Sequence, residues 1–138
     1  MSLCVVDSSF AASWILPDEK SSDADELLAE YEAGQADFAQ PEQWFYELLN
    51  LLWVARRRNR LGDSEVADAF TLLQRINVRS YPLRDIAVQK RVWDLAQKHQ
   101  LAIYDAAYLE LALRLSAVLC VNDASLKSAA LVEGLQTI

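Results

Sequence analysis

The chain has 138 residues, 53% of them hydrophobic, and a formal net charge of −7; that length suits one domain, residues 1–138, built on a single core. No apolar run approaches the roughly 20 residues of a membrane span, and MSLCVVD enters a strand-like run with no basic leader, so a soluble cytoplasmic protein that touches no membrane is expected. The acidic balance argues against tight, indiscriminate nucleic-acid binding, because each phosphate contact needs a cation, yet it leaves a selective nucleic-acid substrate open.

In chain order, Leu3 to Val6 reads as a first strand, and Asp7-Ser8-Ser9 supplies helix-start chemistry for Phe10 to Leu16, which Pro17 ends. Ser21 to Ala33 is a second helix stopped by Gly34, and a short strand near Asp37 to Ala39 follows. From Glu42 to about Arg60 the pattern is helical, Gly62 breaks it, and Asp63-Ser64-Glu65 opens another helix to about Ile76. Val78 to Tyr81 alternates as a strand, Arg84 to Lys98 is helical, Leu101 to Tyr104 is a short extended entry, and Asp105 to Arg114 is helical again. Ala117 to Val121 is a buried strand, Ala124 to about Leu131 a helix, and Leu135 to Ile138 a last strand. Short apolar runs alternating with amphipathic ones point to β-α units around a parallel sheet. No internal repeat or linker interrupts them.

Four acids sit in apolar surroundings: Asp7 ends LCVVD, Glu47 lies in WFYELLNLLWV, Asp105 interrupts LAIYDAAYLELAL, and Asp123 closes VLCVND. A carboxylate taken from water without a partner either destabilises the fold or shifts its pKa until it is neutral. Four in one small domain ask for a shared positive charge. In open α/β sheets sites form outside the carboxyl ends of the strands, where Asp7, Asp105 and Asp123 are expected. Glu47 comes from within a helix, on a polar stripe with Gln43 and Asn50 whose neighbours Trp44, Phe45, Leu48, Leu51 and Leu52 are expected to be buried. Mg²⁺ and Mn²⁺ prefer oxygen ligands in this way. Against that stands a simpler reading: Asp7 and Asp123 as helix N-caps, and Asp105 as a first-turn acid.

Cys4 and Cys120 lie in strand-like runs without ligand spacing and are expected as buried free thiols. His99 is the lone histidine, near a helix end, which excludes a zinc site or a Ser/His/Asp triad for want of material. Arg56, Arg57, Arg58 and Arg60 cluster after the Glu47 helix, as a solvated helix end or as a candidate RNA-binding patch. Of the four tryptophans, Trp14, Trp44 and Trp53 are candidates for core packing or for a partner groove.

VVDSSF, PEQWFYELLNLL, HQLAIYDAAYLELA and VLCVNDASL together resemble the PIN-domain ribonucleases, and most of all the VapC-type toxins of bacterial toxin–antitoxin pairs, over essentially the whole chain. The resemblance implies a three-layer α/β/α fold with a central four- to five-stranded parallel sheet, and Asp7, Glu47, Asp105 and Asp123 as the acids that bind Mg²⁺ or Mn²⁺. It further implies hydrolysis of a structured cellular RNA such as a transfer or ribosomal RNA, a homodimer, and a VapB-like antitoxin partner. Ser9 and Asn50 fall where the family has supporting polar groups. Val121 departs from the threonine or serine usual two residues before the last acid, and Asn122 is the expected substitute hydrogen-bond donor. A receiver domain would need adjacent acids after the first strand and a phosphatase would need DxD, and Val6 and Ser9 refuse both. A catalytically silent PIN-like protein-binding module is the remaining alternative.

Overall fold

Four apolar runs become parallel strands. In the computed structural model, which describes residues 1–138, β1 (Ser2–Val6), β2 (Ala36–Pro41), β3 (Val78–Tyr81) and β4 (Val118–Cys120) form one sheet in the order β3-β2-β1-β4. Every pairing is parallel, so each connection must cross over, and helices carry the crossovers. The central strand β1 has Cys4, Val5 and Val6 buried in succession, because helices cover both of its faces and an alternating pattern would leave one face polar.

The helices are α1 (Ser8–Ala11), extended by a 3-10 turn over Ala12–Trp14, then α2 (Ser22–Glu32), α3 (Trp44–Arg57), α4 (Asp63–Arg75), α5 (Ile86–His99), α6 (Ile103–Leu115) and α7 (Ala124–Val132). Their ends follow local chemistry. The Ser21 hydroxyl accepts from Ala24 N at 3.2 Å, Asp85 accepts from Ala87 N at 2.8 Å, and Glu65 accepts from Gly62 N at 2.9 Å, so at each of three N-termini one free N–H group is answered by a side chain. α5 and α6 stop at residues in the left-handed region, Gln100 (φ 55°) and Ser116 (φ 52°).

Helix α6 lies against β1, β2 and β4 with α5 outside it, and α2 covers the other face at β2, giving the α/β/α layering expected from the sequence. On the α2 side Phe38 stacks between Trp14 and Tyr31, with ring centroids 5.5 and 4.7 Å away, and Trp14 Nε1 donates to the Ala24 carbonyl at 2.8 Å. Trp14 and Trp44 are core residues, whereas Trp53 is 57% exposed. No helix is long and apolar enough to cross a membrane.

Four details differ from the sequence reading. The first helix is α1 plus a 3-10 turn rather than one helix to Leu16. Ile103 and Tyr104 are helical, because Ala102 already takes the non-helical N-cap conformation (φ −59°, ψ 150°) and only Leu101 and Ala102 lie before α6. Leu135 to Ile138 makes a single parallel bridge, Leu119 with Thr137, because β4 is three residues long and offers little ladder to extend. Phe45 is 37% exposed rather than buried.

Candidate active site

Asp7 leaves the end of β1, and its N–H donates to the Cys120 carbonyl at 3.0 Å, so β1 and β4 part at the same edge with Asp7 on one and Asp123 beyond the other. Past the last β1–β2 pair, Cys4 with Phe38, the Val6 N–H is answered by the side chain of buried Gln40 at 3.1 Å. That bond holds the strand end from which Asp7 departs. Asp7 occupies the N-cap position of α1 without making a side-chain capping bond, and its carboxylate instead accepts from the Ser9 hydroxyl. It is 6% exposed.

Glu47 stands in the first turn of α3, since the helix begins at Trp44 and not at Glu42. This corrects the view of Glu47 as a mid-helix acid: the positive end of the helix dipole favours it there. Two hydroxyls fix its carboxylate. Tyr108 Oη of α6 donates to Oε1 at 2.7 Å, and Ser8 Oγ of α1 donates to Oε2 at 3.4 Å. Asp105 lies in the first turn of α6, three residues before Tyr108 and so on the same side of that helix. Gln43 Nε2 donates to the Tyr104 carbonyl at 3.1 Å and pins the start of α6 to the start of α3.

Burial raises the pKa of Asp7, Glu47 and Asp105 above the usual carboxylate range. For Asp7 desolvation outweighs the Ser9 hydroxyl and the nearby amides, and the charge of Asp123 adds to it. For Glu47 desolvation outweighs the Tyr108 hydroxyl, with the charges of Asp7 and Asp105 adding. For Asp105 desolvation comes first, then the charges of Asp7 and Asp123. Asp7, Asp105 and Asp123 therefore each act electrostatically on another of the four acids, and Glu47 feels two of them, Asp7 and Asp105.

Asp123 is exposed and fulfils its simpler role, with Oδ1 accepting from Leu126 N at 2.8 Å to cap α7. No three His, Cys, Asp or Glu side chains are gathered into a ready-made ligand set, as expected of like charges that repel across one edge. The donor set fits a hard divalent cation all the same: it offers only carboxylate and hydroxyl oxygens, and one of its acids is buried with no cationic partner.

The remaining candidates divide. Ser9 is at the site. Asn50 is exposed on α3. Asn122 Nδ2 makes a long contact to the Ser9 carbonyl at 3.5 Å, and its neighbour Asp123 draws on the Leu126 amide, so the substitute donor expected of Asn122 is not what supports Asp123. Arg60 is clamped by Asp18 (2.8 Å) and Glu19 (3.3 Å), and Arg56 by Asp63 (3.0 Å), which leaves Arg57 and Arg58 as the unpaired members of that cluster. Cys4 and Cys120 are buried free thiols, and His99 Nε2 meets Glu133 at 2.7 Å at the end of α5. Sequence reasoning missed Ser8, Tyr108 and Gln40. The adjacency of Ser8 to Asp7 and the helical spacing of Tyr108 from Asp105 were the available signals; Gln40 had none.

The PIN domain family model matches residues 4–131. The chain belongs to the PIN-domain family. Within it, the sequence is similar to Ribonuclease VapC3 of Pyrobaculum aerophilum, with 33% identity over 127 residues, 88% of this chain and 90% of that protein. Among solved structures, PAE2754 from Pyrobaculum aerophilum superposes with a TM-score of 0.67 at 22% identity, covering 99% of this chain and 90% of that one. VapBC2 from Rickettsia felis, bound to a DNA fragment from their promoter, gives 0.62 at 13% identity, covering 99% and 97%. At those identities the two structures speak for the fold.

Proposed function

We propose that this chain is a Mg²⁺- or Mn²⁺-dependent endoribonuclease, the toxin of a VapBC-type pair, which hydrolyses phosphodiester bonds in a structured cellular RNA such as a transfer or ribosomal RNA. The supporting observation is Asp7: a buried carboxylate with no cation beside it, held at a sheet edge where Glu47, Asp105 and Asp123 bring further negative charge. A relative named as a ribonuclease at 33% identity supports the same reading.

Asp7, Glu47 and Asp105 would hold the cation, with Asp123 as an outer acid that orients water. When bound, such a cation offsets charge building on the phosphoryl oxygens and makes water more acidic. The chain's own groups provide the order. Tyr108 and Ser8 fix both oxygens of Glu47, and Ser9 fixes Asp7. His99 is engaged with Glu133, so no imidazole at this edge serves as a general base.

The partners follow the same proposal. Leu49, Trp53, Val66 and Phe70 line an apolar groove between α3 and α4, suited to the apolar face of a VapB-like antitoxin, and the net charge of −7 favours basic residues on that partner. A homodimer would use another exposed apolar face, Ile86, Trp93 and Ile103 on α5 and α6. The protein would work in the cytoplasm, as a single domain, where its RNA is.

A gel assay on total RNA with and without Mg²⁺, run beside Mn²⁺ calorimetry, tests the reading. Metal-dependent cleavage supports it. Metal binding without cleavage favours the silent binding module, and neither binding nor cleavage removes the site altogether.

A further inference from the structure

Helices α3 and α6 meet along two rungs. Gln43 and Glu47 are four residues apart on α3, Tyr104 and Tyr108 are four apart on α6, and the bonds run Gln43 to Tyr104 and Tyr108 to Glu47 at 3.1 and 2.7 Å. One helical turn therefore separates the inner rung, which ends on a site carboxylate, from the outer rung at the helix starts. The rings at the outer rung are left in solvent. Tyr104 is 66% exposed, and Tyr46, next to Glu47 and three residues after Gln43, is 78% exposed.

Neither ring belongs to the stacked pairs of the core, which involve Trp14, Tyr31 and Phe38 on the other side of the sheet. Both rings are exposed and each immediately precedes a site acid, Tyr46 before Glu47 and Tyr104 before Asp105, so they flank the edge at which the proposed substrate phosphate would bind. The electrostatics call for a non-ionic hold. The edge itself is acidic, and two of the four clustered arginines are already paired with Asp18, Glu19 and Asp63. A polyanion is poorly held there by charge, whereas stacking of a base on an aromatic face does not depend on it.

We infer that Tyr104 and Tyr46 form a stacking platform for unpaired nucleobases on either side of the scissile phosphate. The inference rests on the ribonuclease reading and adds the contact by which substrate is selected: a base must be free of its partner to lie on the ring, so paired RNA gains nothing from it. Gln43 has the part of positioning Tyr104 by fixing the backbone that carries it.

The test uses the full chain carrying Asp7→Asn, to prevent cleavage, and a fluorescein-labelled single-stranded oligoribonucleotide followed by anisotropy, with the matching duplex alongside. Tyr104→Ala and Tyr46→Ala should each weaken single-strand binding about tenfold. Tyr104→Phe and Tyr104→Trp should stay within about twofold of the parent, and duplex binding should not move. In the cleaving chain the same alanine variants should raise KM more than they lower kcat. Unchanged single-strand affinity in both alanine variants overturns the platform, as does equal loss for duplex, or full rescue by Tyr104→Leu, which restores apolar bulk without a π-face. A change of oligomeric state in Tyr104→Ala on gel filtration also overturns it, assigning the face to a protein contact. If the wild type cleaves while the alanine variants keep its KM, the platform alone falls; if the wild type neither binds nor cleaves RNA, the ribonuclease reading falls and takes the platform with it.

Discussion

Tyr108 Oη donates to Glu47 Oε1 at 2.7 Å, a bond between residues 61 positions apart that ties α6 to α3 and orients the carboxylate while leaving it lone pairs for a cation. It lowers the pKa of Glu47 against the burial that raises it. Without it the carboxylate would be held at its other oxygen by Ser8 at 3.4 Å, a weak contact.

Tyr108→Phe should therefore fold, with a stability loss of about 1 kcal/mol in urea denaturation, the usual net worth of one hydrogen bond. RNA cleavage should drop roughly tenfold or more in kcat/KM, because a supporting contact that orients a ligand is worth about that. Cleavage at the full wild-type rate would show that Glu47 needs no orientation from α6.

The raised carboxylates make a stability prediction with a definite sign. Asp7, Glu47 and Asp105 bind protons more tightly in the folded chain than when unfolded, so between the ordinary carboxylate pKa, about 4, and their raised values the folded state carries more protons. The stabilisation they give is complete below that window and lost as pH rises through it. Glu133, whose pKa is lowered by Lys98 and His99, acts in the opposite sense: its stabilisation is present above the ordinary glutamate value and lost as pH falls through the lowered one. With chelator present, the three raised acids should lower the thermal midpoint as pH rises through that window, and Asp7→Asn should flatten that fall and raise the midpoint at neutral pH by a few degrees. Differential scanning calorimetry across the range checks it. A midpoint at neutral pH lower in Asp7→Asn than in wild type would mean that the Asp7 charge is satisfied within the protein.

Divalent cation should reverse the same penalty. At a free Mg²⁺ concentration about a hundred times its Kd, binding to the native state alone adds about 2.7 kcal/mol. The rise in midpoint should vanish in Asp7→Asn and Asp105→Asn, and the melting curves with and without Mg²⁺ give the answer directly. An undiminished rise in both variants would place the cation elsewhere.

A separate prediction concerns the fold. Glu110 is 2% exposed and accepts from Arg114 Nε at 3.0 and 3.2 Å, with Arg91 Nε at 3.6 Å. Glu110→Ala removes the buried partner of two cations and leaves space behind it, which should cost about 3 kcal/mol by chemical denaturation. Glu110→Gln keeps shape and one acceptor and should lose about half as much. Equal losses would show that charge, not packing, is what Glu110 contributes.

What the sequence revealed and what it hid have separate physical causes. The strand Val78–Tyr81 and the start of α4 at Asp63 stand where alternation and capping residues put them, because those signals are local. The start of α6 lies two residues before Asp105 because the N-cap geometry of Ala102 overrides the strand propensity that Ile103 and Tyr104, an apolar and an aromatic residue, carry. Apolar context pointed to the four acids, although only Asp7 is fully buried: Glu47 and Asp105 are half-buried, and Asp123, after an equally apolar run, is exposed as the cap of α7. Their supports did not show: Ser8 and Tyr108 reach Glu47 across 39 and 61 residues, and such pairings leave no pattern in a single chain. The arginine cluster was visible as charge, while its neutralisation by Asp18, Glu19 and Asp63 depends on the packing of a distant loop and a neighbouring helix.

Anomalous diffraction from crystals soaked in Mn²⁺ tests most directly whether the acids at this edge form one cation site. We expect a single strong peak bounded by carboxylate oxygens of Asp7, Glu47 and Asp105, lost in crystals of Asp7→Asn. A peak elsewhere on the molecule, or none at a Mn²⁺ concentration that supports cleavage, would contradict the assignment of the cation site to these acids.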